Sequence, residues 1–182
     1  MFNITDDFIS PGNQERLKNV LTSPFFPWWY HSGTVTPDER KEFGNNSLQS
    51  KEVDWFCHKF ITDGEPTNSS EFYLIEENLN PILYMFSEEW GWKLDRCQAN
   101  LVPPSGNWYD RRHTSWHVDS PDDHMVLIYY VNDSPARTLF RGGGSCRPKQ
   151  GRFITFDGKN YHSAEIPKKK SRCVINFNFK KI

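Results

Sequence analysis

The sequence predicts a mainly β protein, an antiparallel sandwich or barrel with helices from the N-terminal half covering one outer face. Two observations support this prediction. After Gly91 the spacing of apolar residues changes from three or four to two, which is the period of a strand. Short apolar segments then follow one another with turn residues but no helix between them, which is typical of antiparallel sandwiches and barrels.

The length and composition suit one domain. We expect residues 1–91 to support the fold with helices and loops and residues 92–182 to form the β core of the 182-residue chain. Aromatic residues make up 15% of the chain and all hydrophobic residues only 36%, so aromatic side chains should fill much of the core. The formal net charge of −1 disfavours a dedicated nucleic-acid binder, which normally carries a basic excess.

No segment indicates a membrane or a secreted location. The longest apolar run, residues 125–131, is far shorter than the about 20 residues of a membrane-spanning helix. The first residues lack the basic and then apolar pattern of a secretory signal. We therefore expect the cysteines to be reduced thiols and the protein to be cytoplasmic, without a membrane partner. No two cysteines form a C-x-x-C pair, so a zinc knuckle or a thioredoxin-like site is not expected.

Two helices are predicted before Gly91. Residues 11–22 open with Pro-Gly-Asn and continue as a short helix. Residues 71–90 place apolar side chains three or four positions apart on one helix face. Pro81 either kinks this helix or starts a second one, and Gly91 ends it.

Six strands are predicted after Gly91, over residues 94–102, 115–119, 125–131, 137–141, 152–157 and 172–180. In the last strand, polar residues at even positions from Arg172 alternate with the apolar residues Cys173, Ile175, Phe177 and Phe179. Because the apolar face has to pack under the helices, we expect Arg172 to point into the barrel. A buried cation needs an anion, and an Arg fork binds a carboxylate with two hydrogen bonds. The alternative is an ordinary ion pair with an acidic residue of the chain.

Three residues predict a metal site. His117 and Asp119 are two positions apart in a predicted strand, so both side chains should lie on one face. His162 follows a strand and a turn, which allows the chain to return to the same end of a barrel. Two neutral imidazoles and one carboxylate on one face form the facial triad that suits Fe(II). The simpler alternatives are a surface His–Asp hydrogen bond and a turn histidine.

The order of an H-x-D motif, a distal His and an Arg ten residues later resembles the Fe(II)- and 2-oxoglutarate-dependent dioxygenases. The segments HVDSP, LIYYVND, GRFITFDGKNYHSAEI and RCVINF are similar to the prolyl-hydroxylase-like branch, and to its small members from bacteriophages and marine bacteria. The resemblance covers residues 94–180 well and the first 90 loosely. It implies a double-stranded β-helix, a cupin-like jelly roll, with the N-terminal helices packed on one sheet.

The resemblance also implies the activity and the metal ligands. It implies an enzyme that uses Fe(II), 2-oxoglutarate and O₂ and releases succinate and CO₂. The hydroxylated carbon would belong to a protein side chain, with prolyl residues among the options, or to a small molecule. By position, the iron ligands would be His117, Asp119 and His162.

For the co-substrate, the resemblance implies that Arg172 and Tyr130 bind the far carboxylate of 2-oxoglutarate. It also implies that Asn100 contacts the co-substrate. Val102 stands where a co-substrate tyrosine is common in the family, and Tyr109 is a candidate replacement. This departure concerns the co-substrate pocket and leaves the metal ligands unaffected.

The segment 103–114 is expected to line the substrate entrance. Loops of about 12 residues without secondary structure are usually functional or mobile. We therefore expect Trp108 and Tyr109 to contact substrate, with Arg111 or Arg112 available for an acidic or carbonyl group. The alternative is a rigid surface loop whose aromatic side chains pack inward.

Two other functions stay open. A non-catalytic, cupin-like metal-binding module would be favoured by a missing ligand, and no ligand is missing. A nucleic-acid demethylase of the same superfamily is disfavoured, because related repair enzymes carry another Arg at the position of Asn178 and because the net charge is −1. If the chain comes from a phage, the expected location is the host cytoplasm.

Overall fold

The computed structural model describes residues 1–32, 53–67, 69–105 and 113–181. Its strands are β1 (Phe2–Thr5), β2 (Trp29–Ser32), β3 (Asp54–Thr62), β4 (Glu65–Pro66), β5 (Trp92–Val102), β6 (His124–Tyr130), β7 (Thr138–Phe140), β8 (Ser145–Cys146), β9 (Phe153–Asp157), β10 (His162–Ala164) and β11 (Arg172–Lys181). The helices are α1 (Pro11–Leu21) and α2 (Tyr73–Tyr84), and a π-helical segment, Met85–Glu89, continues α2.

The strands form two antiparallel sheets that face each other. The larger sheet has the order β1-β9-β6-β11-β5-β3-β2, with β4 paired to β3, and the smaller sheet has the order β10-β7-β8. The predicted mainly β jelly roll is confirmed.

The helices pack on the outer face of the larger sheet, as predicted. Apolar side chains of α1 and α2, including Leu17, Leu21 and Leu79, join one buried cluster with the apolar face of β11, which is Cys173, Ile175, Phe177 and Phe179. Phe86 stacks on Phe179 of β11 with the ring centroids 4.3 Å apart. The apolar half of β11 therefore belongs to the core under the helices.

The other face of the larger sheet lines the space between the sheets. A second apolar cluster lies there, formed by Val126, Ile128, Tyr130, Phe140, Cys146, Ile154, Phe156 and Val174. The even-numbered residues of β11 lie on this face and are polar apart from Val174. The strand alternation predicted for β11 therefore places Arg172, Asn176 and Asn178 inside the barrel.

Both predicted helices are present. Ser10 caps α1, because its Oγ accepts a hydrogen bond from the backbone N–H of Asn13 at 3.2 Å. Pro81 lies inside α2, which continues beyond it as an α-helix for one turn and then as a π-helix. Gly91 follows the helical segment with a φ of +67°, a conformation that suits glycine.

The N-terminal region contributes more than the predicted helices and loops. Strand β1 pairs with β9, and β3 pairs with β5, so residues of the first 91 extend the larger sheet at both edges. The aromatic and apolar residues of β3, among them Trp55, Phe56 and Phe60, are typical of a strand and were the available signal.

The strand predicted over 115–119 is not regular. Only two isolated bridges form here, from His113 to Glu165 and from His117 to His162. These bridges are four residues apart on one side and three on the other, so one extra residue interrupts the ladder, as in a β-bulge. The segment is nevertheless fixed to β10, because His117 and His162 exchange backbone hydrogen bonds of 3.1 and 3.0 Å.

All four cysteines are free and buried. In the part of the chain that the structure describes, no helix combines the length and the apolar character needed to cross a bilayer.

Candidate active site

His117, Asp119 and His162 lie together between the two sheets. The Nε2 atoms of both histidines are 3.6 Å from Oδ1 of Asp119, and the potential ligand atoms all lie within 4.8 Å of one another. The structure thus brings together the three residues from which the metal site was predicted.

Backbone carbonyl groups orient the two imidazoles. Nδ1 of His117 is 3.0 Å from the carbonyl oxygen of Ser115, and Nδ1 of His162 is 3.2 Å from that of Asn160. A carbonyl only accepts, so each Nδ1 carries the proton and each Nε2 presents a lone pair toward Asp119.

The charge states also suit a cation site. Burial lowers the pKa of His162 to about 4, so this imidazole is neutral at pH 7 and its Nε2 is free to bind a metal. Burial alone would raise the pKa of Asp119. At the acidic pH where Asp119 titrates, the protonated imidazole of His162 and the guanidinium of Arg96 outweigh this effect. The pKa of Asp119 therefore lies well below its usual range, and the carboxylate is ionised at neutral pH.

Arg172 lies inside the barrel next to Tyr130. Its Nη2 donates to Oγ1 of Thr138 at 2.9 Å, and its Cζ is 5.8 Å from the centre of the Tyr130 ring. The Arg172 side chain is buried, and its Nε has no hydrogen-bond partner among the described residues. No carboxylate pairs with Arg172 in the described part of the chain, so the ordinary ion pair considered above is not found there.

Tyr130 and Thr138 connect the two sheets at this position. The hydroxyl of Tyr130 in β6 is 2.7 Å from Oγ1 of Thr138 in β7. Burial raises the pKa of Tyr130, so its hydroxyl stays protonated at neutral pH and is able to donate. Thr138 was not predicted, because a threonine in a short strand is common and its partners lie far away in sequence.

Asn100 lies on the same face of the larger sheet as Arg172. It stands directly opposite Val174, whose other neighbour is Tyr130. Its Oδ1 accepts a hydrogen bond from Nε2 of Gln98 at 3.0 Å. Asn100, Val174 and Tyr130 are therefore side by side on three neighbouring strands. Arg172 is two residues from Val174 along β11, on the same face.

Val102, the departure from the family pattern, stands opposite Arg172. It packs in a small apolar cluster with Val53 and Ile166, so it offers no polar group to the pocket. Trp108 and Tyr109, predicted to contact substrate, lie outside the described residues, and so do Arg111 and Arg112.

The fold is similar to that of solved 2OG-Fe(II) oxygenases. The chain is similar to an oxidoreductase of the 2OG-Fe(II) oxygenase family from Burkholderia pseudomallei, with a TM-score of 0.62 and 12% identity, over 93% of this chain and 78% of that one. Neither a family model nor a curated protein sequence matches the chain.

Two further solved structures show the range of this fold. The viral collagen prolyl hydroxylase of Paramecium Bursaria Chlorella virus-1, in complex with 2OG, has a TM-score of 0.60 and 13% identity, over 100% of this chain and 96% of that one. The non-heme alpha-ketoglutarate-dependent epimerase SnoN from nogalamycin biosynthesis has a TM-score of 0.63 and 10% identity, over 99% and 76% of the two chains.

Proposed function

We propose that this protein is an Fe(II)- and 2-oxoglutarate-dependent oxygenase that hydroxylates a carbon of its substrate. The strongest support is that two features lie together inside one barrel. A triad of two histidines and one carboxylate lies in the same space as a buried arginine that has no carboxylate partner among the described residues.

The triad fits Fe(II) in its donor set. His117 and His162 would bind through neutral imidazole nitrogens and Asp119 through one carboxylate oxygen, which is the ligand set of non-haem Fe(II) oxygenases. The negative charge of Asp119 compensates part of the metal's charge. The backbone contacts of both Nδ1 atoms keep the two Nε2 lone pairs directed at one point.

The surroundings of Arg172 fit the far carboxylate of 2-oxoglutarate. Its unpartnered Nε is a buried donor, and the hydroxyls of Tyr130 and Thr138 lie within reach of the same group. An arginine fork and a hydroxyl together orient a carboxylate and neutralise its charge. We assign Asn100 to the wall of this pocket, as a further polar contact of the co-substrate.

When bound, iron and 2-oxoglutarate supply the activation of O₂, with release of succinate and CO₂. The chain's own residues bind and orient. Arg172 and Tyr130 fix one end of the co-substrate, and the triad fixes the metal. The apolar side chains that line the barrel beside Tyr130, including Ile128 and Phe156, exclude water from this end of the pocket.

For the substrate we propose a protein side chain, with prolyl residues among the candidates, or a small molecule. Similarity to a viral collagen prolyl hydroxylase over the whole chain supports the first option, and similarity to an epimerase of nogalamycin biosynthesis supports the second. Trp108 and Tyr109 are the proposed substrate contacts. A nucleic-acid substrate remains the alternative, and the net charge of −1 disfavours it. We place the reaction in the cytoplasm.

Succinate release tests the proposal. The protein is loaded with Fe(II) without oxygen, mixed with 2-oxoglutarate and O₂, and screened against proline-containing peptides, metabolites and single-stranded nucleic acids. The Asp119→Ala variant serves as the control because it lacks the only anionic ligand of the triad.

The expected result is succinate release that one class of substrate stimulates and that Asp119→Ala abolishes. A protein that binds metal but neither binds 2-oxoglutarate nor forms succinate would be the non-catalytic module and would overturn the proposal.

A further inference from the structure

The second carboxylate oxygen of Asp119 is held by three donors. Oδ2 accepts hydrogen bonds from Nδ2 of Asn176 and Nδ2 of Asn178, both at 2.9 Å. It also lies 3.3 Å from Nη2 of Arg96. The first oxygen, Oδ1, faces the two histidines. The two oxygens of one buried carboxylate therefore have separate surroundings.

The hydrogen-bond directions in this cluster are well determined. Arg96 has only donors, so its Nε, 2.8 Å from Asn178, must donate to Oδ1 of that amide. The amide nitrogen of Asn178 is then the atom that faces Asp119. A carboxylate only accepts, so Asn176 also presents its nitrogen. The Oδ1 of Asn176 is buried without a partner among the described residues, which costs stability that the contact with Asp119 has to offset.

The sheet register places these donors side by side. Asn178 of β11 stands opposite Arg96 of β5, and Asn176 stands two residues further along the same face. The Asp119 side chain is only 4% exposed, whereas that of Arg96 is 31% exposed. Arg96 thus approaches the buried carboxylate from the solvent side and the two amides approach it from the sheet.

We propose that Asn176, Asn178 and Arg96 are positioning residues that make Asp119 bind the metal through Oδ1 alone. The proposal rests on the metal site proposed above and concerns what shapes it. With Oδ2 engaged by three donors, the carboxylate is unable to turn and offer both oxygens to the metal. The one additional coordination position that a two-oxygen carboxylate would occupy then remains open, so that the co-substrate and O₂ both have room.

A purely structural role would be different. The three residues would then stabilise a buried charge in the metal-free protein but would not affect how the carboxylate binds a metal. The two roles are separable, because one changes only the stability of the metal-free protein and the other changes metal affinity and coordination.

The test uses Co(II) as the probe, without 2-oxoglutarate or O₂. The variants are Asn178→Leu, Asn176→Leu and Arg96→Met, which remove the donors at similar volume, and the milder Asn178→Ser and Arg96→Lys. The matched control is Lys180→Met. Lys180 is a cation in β11, the strand of Asn176 and Asn178, but it pairs with Asp95 at 3.1 Å and does not contact Asp119. Co(II) affinity, the visible absorption spectrum of bound Co(II), and the unfolding of the metal-free protein are measured for each variant.

We expect the three main variants to bind Co(II) on the order of 10-fold more weakly, as is typical when residues behind a metal ligand are replaced. Their Co(II) spectra should change toward a higher coordination number. Arg96→Lys should recover part of the affinity because its ammonium group keeps a donor for Oδ2 of Asp119, and Lys180→Met should match the wild type.

One result would overturn the positioning role, and a different result would overturn the proposed function. Variants that bind Co(II) with wild-type affinity and spectrum, and that change only the unfolding of the metal-free protein, would overturn the positioning role. A wild-type protein that does not bind Co(II) at all would overturn the proposed function itself. If the leucine or methionine variants do not fold, the same comparison is made with Asn178→Ser and Arg96→Lys.

Discussion

At the scale of single residues, two adjacent tyrosines in β6 have opposite surroundings. Tyr130 faces the space between the sheets, and its hydroxyl is 2.7 Å from Oγ1 of Thr138. Tyr129 faces the helices, and its hydroxyl is buried without a hydrogen-bond partner among the described residues. Neighbouring side chains of a strand point to opposite faces, so similar residues serve the pocket and the core.

This contrast gives a matched pair of variants. Tyr130→Phe should weaken 2-oxoglutarate binding by about 1–2 kcal/mol, because it removes one hydrogen bond to a charged group. Tyr129→Phe should leave the affinity unchanged and the stability equal or higher, because its hydroxyl gains nothing from burial. Titration of the Fe(II) protein with 2-oxoglutarate, together with urea unfolding, measures both effects. Equal affinities in the two variants would contradict the role of Tyr130.

Much of the site was predictable because strand alternation assigns a face to each residue. The alternation of β11 placed Arg172 inside the barrel, and the H-x-D spacing placed His117 and Asp119 together. Thr138 and Arg96 were not predicted. Their roles depend on which strands lie next to one another, and a sequence pattern does not give strand order.

At the scale of elements, the turn between β9 and β10 leads to His162 and depends on Gly158. A Cβ at this position would overlap with three ring atoms of His124. The ring is buried, and its Nδ1 is 2.7 Å from the carbonyl oxygen of Asp122, so it has little freedom to move. The close contact between β6 and the turn therefore requires glycine.

Gly158→Ala should lower the free energy of unfolding by about 1–3 kcal/mol, the usual cost of overpacking a buried site. Gly12→Ala is the matched control. An added Cβ at Gly12, in the first turn of α1, would meet no heavy atom closer than 4.0 Å. Its effect should stay within about 0.5 kcal/mol. Urea unfolding checks both variants, and equal stabilities would show that the turn has room for a side chain.

The elements themselves were predictable to different degrees. The helices and the long strands after Gly91 have strong apolar periods, and the structure contains them close to the predicted bounds. The long strand β3 was not predicted. Strands β1 and β2 have only four residues each, too few for a period to show. The segment around His117 has the alternation of a strand, but its extra residue against β10 is visible only once the pairing is known.

At the scale of the whole molecule, an ion pair ties the N-terminus to the core. Asp6 follows β1, and both its oxygens bind Arg152, at 2.6 and 2.9 Å, just before β9. Lys149 adds a third contact at 3.2 Å. The hydrogen bond from Arg152 is the main cause that lowers the pKa of Asp6 from 3.8 to about 2. The edge strand β1 is thus fastened at the end of its ladder.

The lowered pKa predicts a pH dependence. A carboxyl group with a depressed pKa stabilises the fold above its unfolded pKa, and this contribution is lost as the pH falls from 3.8 through about 2. Because the Asp6 side chain is 35% exposed and partly screened, Asp6→Asn should cost about 0.5–1 kcal/mol at pH 7. The difference from the wild type should shrink to a small remainder near pH 2 and vanish below it.

The control for this measurement is Asp123→Asn. Asp123 pairs with Lys159 at 2.6 Å, but its side chain is 82% exposed, so its removal should not change the stability measurably. Urea unfolding at pH 7 and near pH 2 compares the three proteins. A deficit of Asp6→Asn that is as large near pH 2 as at pH 7 would show that the ion pair is not its cause.

The central claim is that one barrel holds both the metal and the far end of 2-oxoglutarate. Its most direct test is a titration of the anaerobic Fe(II) protein with 2-oxoglutarate, in the wild type, Arg172→Ala and Arg172→Lys. Removing one partner of a buried charged pair costs about 2–5 kcal/mol, or roughly 30- to several-thousand-fold in affinity. The affinity of Arg172→Lys should lie between those of the wild type and Arg172→Ala, because lysine keeps the charge but lacks the two-pronged guanidinium. Iron should bind equally to all three, since Arg172 is not a ligand. The affinity should therefore fall from the wild type through Arg172→Lys to Arg172→Ala. An unchanged affinity in Arg172→Ala would mean that Arg172 does not bind 2-oxoglutarate.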